Sequence, residues 1–239
     1  MTLTGDCYGI QIVLHGVDTS ASSVQRMVKI CSDSAGNNVL IPNLLAFSSP
    51  YMNMGGLTYY FPLYIPSGTT LYAFAQASDT AGTAIDVWVT VWGNPSRPSM
   101  VRCGHYIDAL GADTATSSGT AITPGTTLEG VITQIYAGVP RTYWYLQPMI
   151  VPYGDSNIGV GTTHVDLAIG YGGTFGYHYI QHNVQFGFST TSESMFNVPN
   201  GLHECSVRVR EGGNIWACAQ HSASLEGAYR IVVYALGDI

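Results

Sequence analysis

Residues Tyr60–Asn94 read YFPLYIPSGTTLYAFAQASDTAGTAIDVWVTVWGN, and residues Glu204–Asp238 read ECSVRVREGGNIWACAQHSASLEGAYRIVVYALGD. The two stretches align without a gap in one register that sets Gly212 against Gly68. In that register Ala73, Ala75, Gln76, Ser78, Val89 and Gly93 recur as Ala217, Ala219, Gln220, Ser222, Val233 and Gly237. Within the first copy, Ile85, Val87, Val89 and Val91 alternate with Asp86, Trp88, Thr90 and Trp92. A strict period of two is the mark of a half-buried strand. Upstream, Thr58–Ile65 and Leu71–Ala77 read as a hairpin closed by Pro66 and Gly68, residues that preset a turn.

The repeat extends towards the front of each copy. Tyr143–Val151 matches Gly9–Leu14 with Gln147 on Gln11, and His164–Gly173 matches Met27–Gly36 with Val165 on Val28. Further strands are expected at Ser22–Ile30, Val39–Leu44 and Leu128–Tyr136. Asp33–Asn38 and Asp79–Thr83 read as polar turns, and Ser48–Gly56 as a loop. No window holds a 3.6-residue apolar period. The expected fold is therefore all-β: two tandem, duplicated antiparallel β-sandwich units of jelly-roll-like design. A linker at Asn94–Ser99 divides residues 1–97 from 98–239. The second unit begins with an extended arm, about residues 104–136, which has no counterpart in the first. The first unit thus lacks a front strand and has an open edge, which is costly to leave unpaired. The arm, another subunit or a neighbouring protein is expected to complete it.

Composition narrows the function. The chain has 239 residues, 46% of them hydrophobic, but only 10% charged, with a net charge of −7. Average proteins carry about a quarter charged residues. Uncharged polar faces suit β-structure and large assembled surfaces. The single lysine is Lys29, and Arg208 with Arg210 is the nearest thing to a basic patch. Nucleic-acid binding through phosphates is not expected from such a chain. Met1–Ile10 has neither the basic nor the apolar part of a signal peptide, and no run approaches a membrane span. The five cysteines show no metal-type spacing. Cys205 and Cys218 flank the second expected hairpin, where they could face each other; reduced thiols packed as small apolar residues are the favoured reading.

No nucleophile elbow, phosphate loop or dinucleotide fingerprint occurs. The Asp and Glu residues are scattered, many of them in turns. His178 and His182 would point to one face of a strand about 13 Å apart, too far to share an ion. No catalytic, metal or cofactor residues are therefore expected. The candidate binding residues are aromatic: Tyr143, Trp144 and Tyr145, with Tyr177 and Tyr179. Such residues are enriched at interfaces and also stack on sugars.

The pieces VLIPNLLA (Val39–Ala46), YYFPLYIPSGTTLYAFAQAS (Tyr59–Ser78), GADTATSSGTAITPG (Gly111–Gly125) and HVDLAIGYGG (His164–Gly173) resemble a family of tailed-bacteriophage virion proteins. The chain departs from that pattern where the proline of the hairpin becomes Arg210, and where unit one lacks the front segment. The resemblance implies a non-enzymatic structural component of a virion assembled in the host cytoplasm. It would be an accessory protein on head, collar or tail, homo-oligomeric and in contact with other virion proteins. The alternative is a host-receptor or glycan-binding adhesin of a tail fibre or tip. A glycan hydrolase would need two carboxylates facing each other in a groove.

Overall fold

A computed structural model describes residues 1–16, 24–48, 57–77, 85–93, 103–111, 114, 119–152, 161–170, 176–188, 195–197, 203–222 and 229–238. The expected linker at Asn94–Ser99 and the turn at Asp79–Thr83 lie outside them. Among the described residues every regular element is a strand.

Six strands form the first unit: β1 (Gly9–Gly16), β2 (Val24–Cys31), β3 (Val39–Ser48), β4 (Leu57–Phe61), β5 (Tyr72–Ala77) and β6 (Ile85–Trp92). They make two three-stranded sheets, ordered β4-β1-β6 and β3-β2-β5. Ten more follow: β7 (Tyr106–Leu110), β8 (Thr120–Ile122), β9 (Thr133–Tyr136), β10 (Tyr143–Pro152), β11 (Gly161–Gly170), β12 (Tyr177–Phe188), β13 (Met195–Asn197), β14 (His203–Val209), β15 (Asn214–His221) and β16 (Tyr229–Gly237). These make the sheets β14-β10-β16-β7, with β8 also on β16, and β13-β12-β11-β15-β9. The duplication is therefore topological as well as sequential. β4, β1 and β6 occupy the places of β14, β10 and β16, while β3, β2 and β5 occupy those of β12, β11 and β15.

Even the turns repeat bond for bond. Leu3 donates to Thr69 O at 2.9 Å and Gly68 donates back to Leu3 O at 2.9 Å; Val139 donates to Gly213 O at 2.7 Å and Gly212 donates back to Val139 O at 2.9 Å. Gly68 and Gly212 sit at φ of 83° and 78°, a conformation open to glycine at little cost. Arg210 replaces Pro66 without changing the turn. Thr69 N–H reaches Pro66 O at 3.3 Å and Gly213 N–H reaches Arg210 O at 3.0 Å.

Two expectations are corrected. The Pro66–Gly68 turn does not close a hairpin, because β4 pairs with β1 and β5 pairs with β2, in different sheets. The chain crosses the sandwich there, and likewise between β14 and β15, so Cys205 and Cys218 are not hairpin neighbours. Cys218 is a buried free thiol. Of the three candidates to complete the open edge of unit one, the arm does not do so among the described residues. Its strands add to unit two, β7 and β8 on β16 and β9 on β15. Among the described residues, β6 pairs only with β1 and β5 only with β2.

Burial records the difference. β16 is almost wholly buried and β15 buried or half-buried throughout, whereas β6 alternates half-buried with exposed residues and β5 is largely exposed. The core itself is aliphatic and aromatic, with Ile10, Ile12, Tyr59 and Phe61 sealed in unit one and Leu146, Ile150, Ile231 and Val233 in unit two.

Candidate functional site

The outer face of the β4-β1-β6 sheet carries the largest exposed aromatic side chains of the described chain. Period-two alternation sends Trp88, Thr90 and Trp92 outward from β6 while Val87, Val89 and Val91 pack inward. Register then builds a platform. Tyr60 and Thr90 flank Gln11, Thr58 and Trp88 flank Val13, and Trp92 stands opposite Gly9. Gly9 leaves the gap across which Tyr60 and Trp92 meet, ring centroids 5.5 Å apart at 73°. A Cβ at Gly9 would sit 3.0 Å from the Tyr60 hydroxyl. Trp88 is 70% exposed, Trp92 45% and Tyr60 38%. Gln11, Thr58, Tyr60 and Trp92 line a shallow groove. Asp86 and His15 face each other at the rim. Partial burial, and less so the thiols of Cys103 and Cys7, pushes the Tyr60 hydroxyl up, so it stays a neutral donor.

The same row in unit two is covered. Val232, Tyr234 and Leu236 take the places of Trp88, Thr90 and Trp92, and each is 0% exposed. Val232 lies under Gly119, and Leu236 under Gly104. Gly104 is bridged in parallel to Leu63 of unit one. Tyr234 inserts between the two sheets of unit one at their β3 and β4 side. Its ring stands edge-on to Tyr59 at 5.4 Å and to Phe61 at 6.2 Å, contacts worth about 0.5–1.5 kcal/mol each beyond burial. The two units are thus joined where β3 and the chain just after β4 meet β7, Gly104 and Tyr234 of unit two.

A second group lines the cleft beside this junction: Tyr64, His105, Tyr106, Asp108 and Arg141, with Asn37 and Asn38 across from them. The Tyr143 hydroxyl donates to Asp108 Oδ2 at 2.6 Å, and Arg141 Nε lies 3.8 Å from the same oxygen. The Arg141 guanidinium also covers the Tyr106 ring at 4.6 Å. Burial, reinforced by the Asp108 carboxylate, drives the Tyr143 hydroxyl far above the usual phenol range. Asp108 is the carboxylate among the residues lining this cleft and is engaged by these partners, so no facing pair is formed there.

The aromatic residues singled out from sequence do not converge. Tyr143 is fully buried. Tyr145 packs partly buried against the core. Trp144 is half-buried, with the Arg208 guanidinium 3.2 Å from its ring centre. Tyr179 is 41% exposed on β12, in the other sheet, 5.2 Å from the His182 ring and 3.8 Å by its hydroxyl from Cys218 Sγ. The Tyr177 side chain lies outside the described residues. A bulge in β12, with Asn183 at φ 54°, breaks the simple alternation assumed for His178 and His182. Asp166 anchors that bulge, accepting the Asn183 N–H at 2.6 Å and lying 3.5 Å from His182 Nδ1. Sequence reasoning passed over Trp88 and Trp92. Their signal was their place on the non-valine face of the most regular strand.

No protein-family model matches the sequence, and no curated protein matches it. A solved structure of PNGF-II is similar. Identity with it is 10% and the TM-score 0.41, over 100% of this chain and 59% of that one.

Proposed function

We propose that this chain is a non-enzymatic structural component of a tailed-phage particle, an accessory protein exposed on head, collar or tail. It assembles there with other virion proteins and with copies of itself. One observation carries the reading: an uncharged, aromatic sheet face stands exposed on unit one, while its repeat counterpart in unit two is buried, Val232 and Leu236 under the chain's own arm and Tyr234 against Tyr59 and Phe61 of unit one. Contiguous exposed apolar surface of this kind marks an interaction site. Low charge suits it, since few ions must be stripped of water on contact. The resemblance of the four quoted segments supplies the virion setting. Mass spectrometry of purified particles, with antibody labelling in electron microscopy, tests it. The expected result is stoichiometric protein on the particle exterior; absence from particles, or a place inside the shell, sinks the reading.

A second reading draws on the same platform. Tyr60, Trp88 and Trp92 beside Gln11, Thr58 and Thr90 combine stacking surfaces with uncharged hydrogen-bonding groups, as a glycan-binding adhesin of a tail fibre or tip would require. Binding to host cells or polysaccharide, lost on removing Trp88 and Trp92, would favour it over assembly.

A further inference from the structure

We propose that the sandwich of unit one is open along the seam between β5 and β6, and that this seam takes up an extended strand donated by a different protein of the assembly. The donated segment carries spaced apolar side chains, uncharged polar residues between them and no lysine. This rests on the assembly reading and deepens it by naming the surface and the chemistry of the partner.

β3 and β4 face one another across unit one, since the Tyr59 hydroxyl donates to Leu45 O. β5 and β6 therefore end together at the opposite side of their sheets. Their inward rows are not sealed. Ile85, Val87, Val89 and Val91 are only half-buried, and Ala73 and Ala75 are exposed. Yet Ala73 and Ala75 pair with Ile30 and Val28, which are 1% and 0% exposed. In the register of the repeat the same positions of unit two are Tyr229, Ile231, Val233 and Ala235 on β16, with Ala217 and Ala219 on β15. None of these is more than 1% exposed. Equivalent core positions are thus sealed in one unit and open in the other.

The arm makes the difference. β7 and β8 add antiparallel to β16, and β9 adds to β15. From these strands Leu110, Ile122 and Ile135 are 1%, 2% and 6% exposed. The Thr120 hydroxyl donates to Ile135 O at 3.3 Å and so ties β8 to β9 across the mouth of the sandwich. Gly125 and Gly130 donate to Ala219 O at 3.0 and 2.8 Å. Among the described residues no segment does this for unit one, where β6 pairs only with β1 and β5 only with β2. The places that β7 takes opposite β16 correspond on unit one to Val89, Thr90, Val91, Trp92 and Gly93. β6 carries no lysine, proline or bulge, the usual devices that keep an edge from pairing. A strand added to such an edge gains backbone hydrogen bonds, and its alternate side chains give specificity. The walls set the donor's chemistry. β5 holds no charged residue and β6 only Asp86, so a charged side chain entering the seam would lose its water without a partner. A second copy is not the donor, because the described strands of its arm are already paired within its own unit two.

The test uses the full chain. Leu3 and Val139 make the same turn bonds in the two units, so Met1 stands where Ala137 follows the arm. A second copy of residues 104–136 fused ahead of Met1 therefore holds a donor strand near the seam at high effective concentration. The fused chain is expected to slow amide exchange along β5 and β6 roughly 10-fold or more and to shift tryptophan emission to the blue. Both effects should vanish when the added copy carries Leu110→Asp and Ile122→Asp, and when β5 carries Ala73→Asp with Ala75→Asp. The first variant leaves the chain's own residues untouched and decides the matter if the second fails to fold. In particles, a photo-cross-linker in place of Ala75 is expected to join an extended segment of a different virion protein. Unchanged exchange in the fused chain overturns the proposal, as does a dilute wild-type chain whose β5 and β6 are already protected. So do protection that rises with wild-type concentration or cross-links between copies, since a second copy would then fill the seam. Presence in particles with no cross-link at Ala75 defeats this inference alone. Absence from particles defeats the virion reading, while the fused chain still decides whether the seam accepts a strand.

Discussion

The hydroxyl of Tyr234, on the last strand of unit two, accepts the Leu45 N–H of unit one at 2.6 Å and donates to Asn43 O at 3.1 Å. One phenol thus satisfies two backbone groups of an edge strand. Tyr234→Phe should cost about 1–3 kcal/mol, because those groups lose a partner in a buried place. Tyr234→Ala should cost about 3–5 kcal/mol and loosen the junction enough to split urea unfolding into two transitions. Equilibrium unfolding followed by circular dichroism checks both.

High pH should unfold the protein through its buried phenols. Burial pushes the hydroxyls of Tyr59, Tyr143, Tyr229 and Tyr234 upward, that of Tyr229 to about 12 against an ordinary 10. The fold holds the neutral form more tightly than the unfolded chain does. The contribution of Tyr229 is therefore complete below pH 10 and lost as pH rises through about 12, and those of Tyr59, Tyr143 and Tyr234 are lost at still higher pH. Tyrosinate absorbance should show an early reversible step for exposed tyrosines, then a late step that coincides with unfolding. A single step near pH 10 with the fold intact would contradict this.

Gly104 is a point of close approach. An alanine Cβ there would fall 2.4 Å from Leu236 Cγ and 2.9 Å from Gly237 O, and Leu236 is fully buried. Gly104→Ala should destabilise by about 1–3 kcal/mol through overpacking. Gly5→Ala, which meets nothing within 4 Å, is the matched control and should be close to neutral. Thermal melts of the two variants decide it.

Tryptophan emission reports on the platform. Of the four tryptophans, Trp88 is the most open to solvent among those described as largely exposed. Acrylamide should quench a red-shifted component that disappears in Trp88→Phe with Trp92→Phe. If the quenchable component survives that double change, the outer face is not as open as described.

Much of this architecture was legible in the chain. Alternation over Ile85–Trp92 gave a strand with its inward valines, and the match of Ala217, Ala219 and Gln220 to Ala73, Ala75 and Gln76 gave the duplication. Sheet partnership was not legible. Pro66 and Gly68 specify a reversal of direction, and the same turn chemistry serves a hairpin or a crossing between sheets. The front of the arm read as loop because a strand such as Thr120–Ile122 is three residues long and owes its conformation to β16, whereas Thr133–Tyr136 falls within the strand expected at Leu128–Tyr136. The site was half legible. Trp88 and Trp92 were visible on the polar face of β6, but only the packing of unit two shows that such a face is ordinarily covered. Tyr143 and Trp144 do not share a surface because successive residues of a strand point to opposite faces, and here Tyr143 is sealed in the core.

The bond between Leu45 and Tyr234 spans 189 residues. On a ribosome the first half of this protein emerges long before the strand that plugs it. Unit two brings its own edge strands and can close on arrival; unit one must wait for β16. Contacts so distant in sequence form late and slow folding. The half made first is therefore the half whose last buried contacts form last.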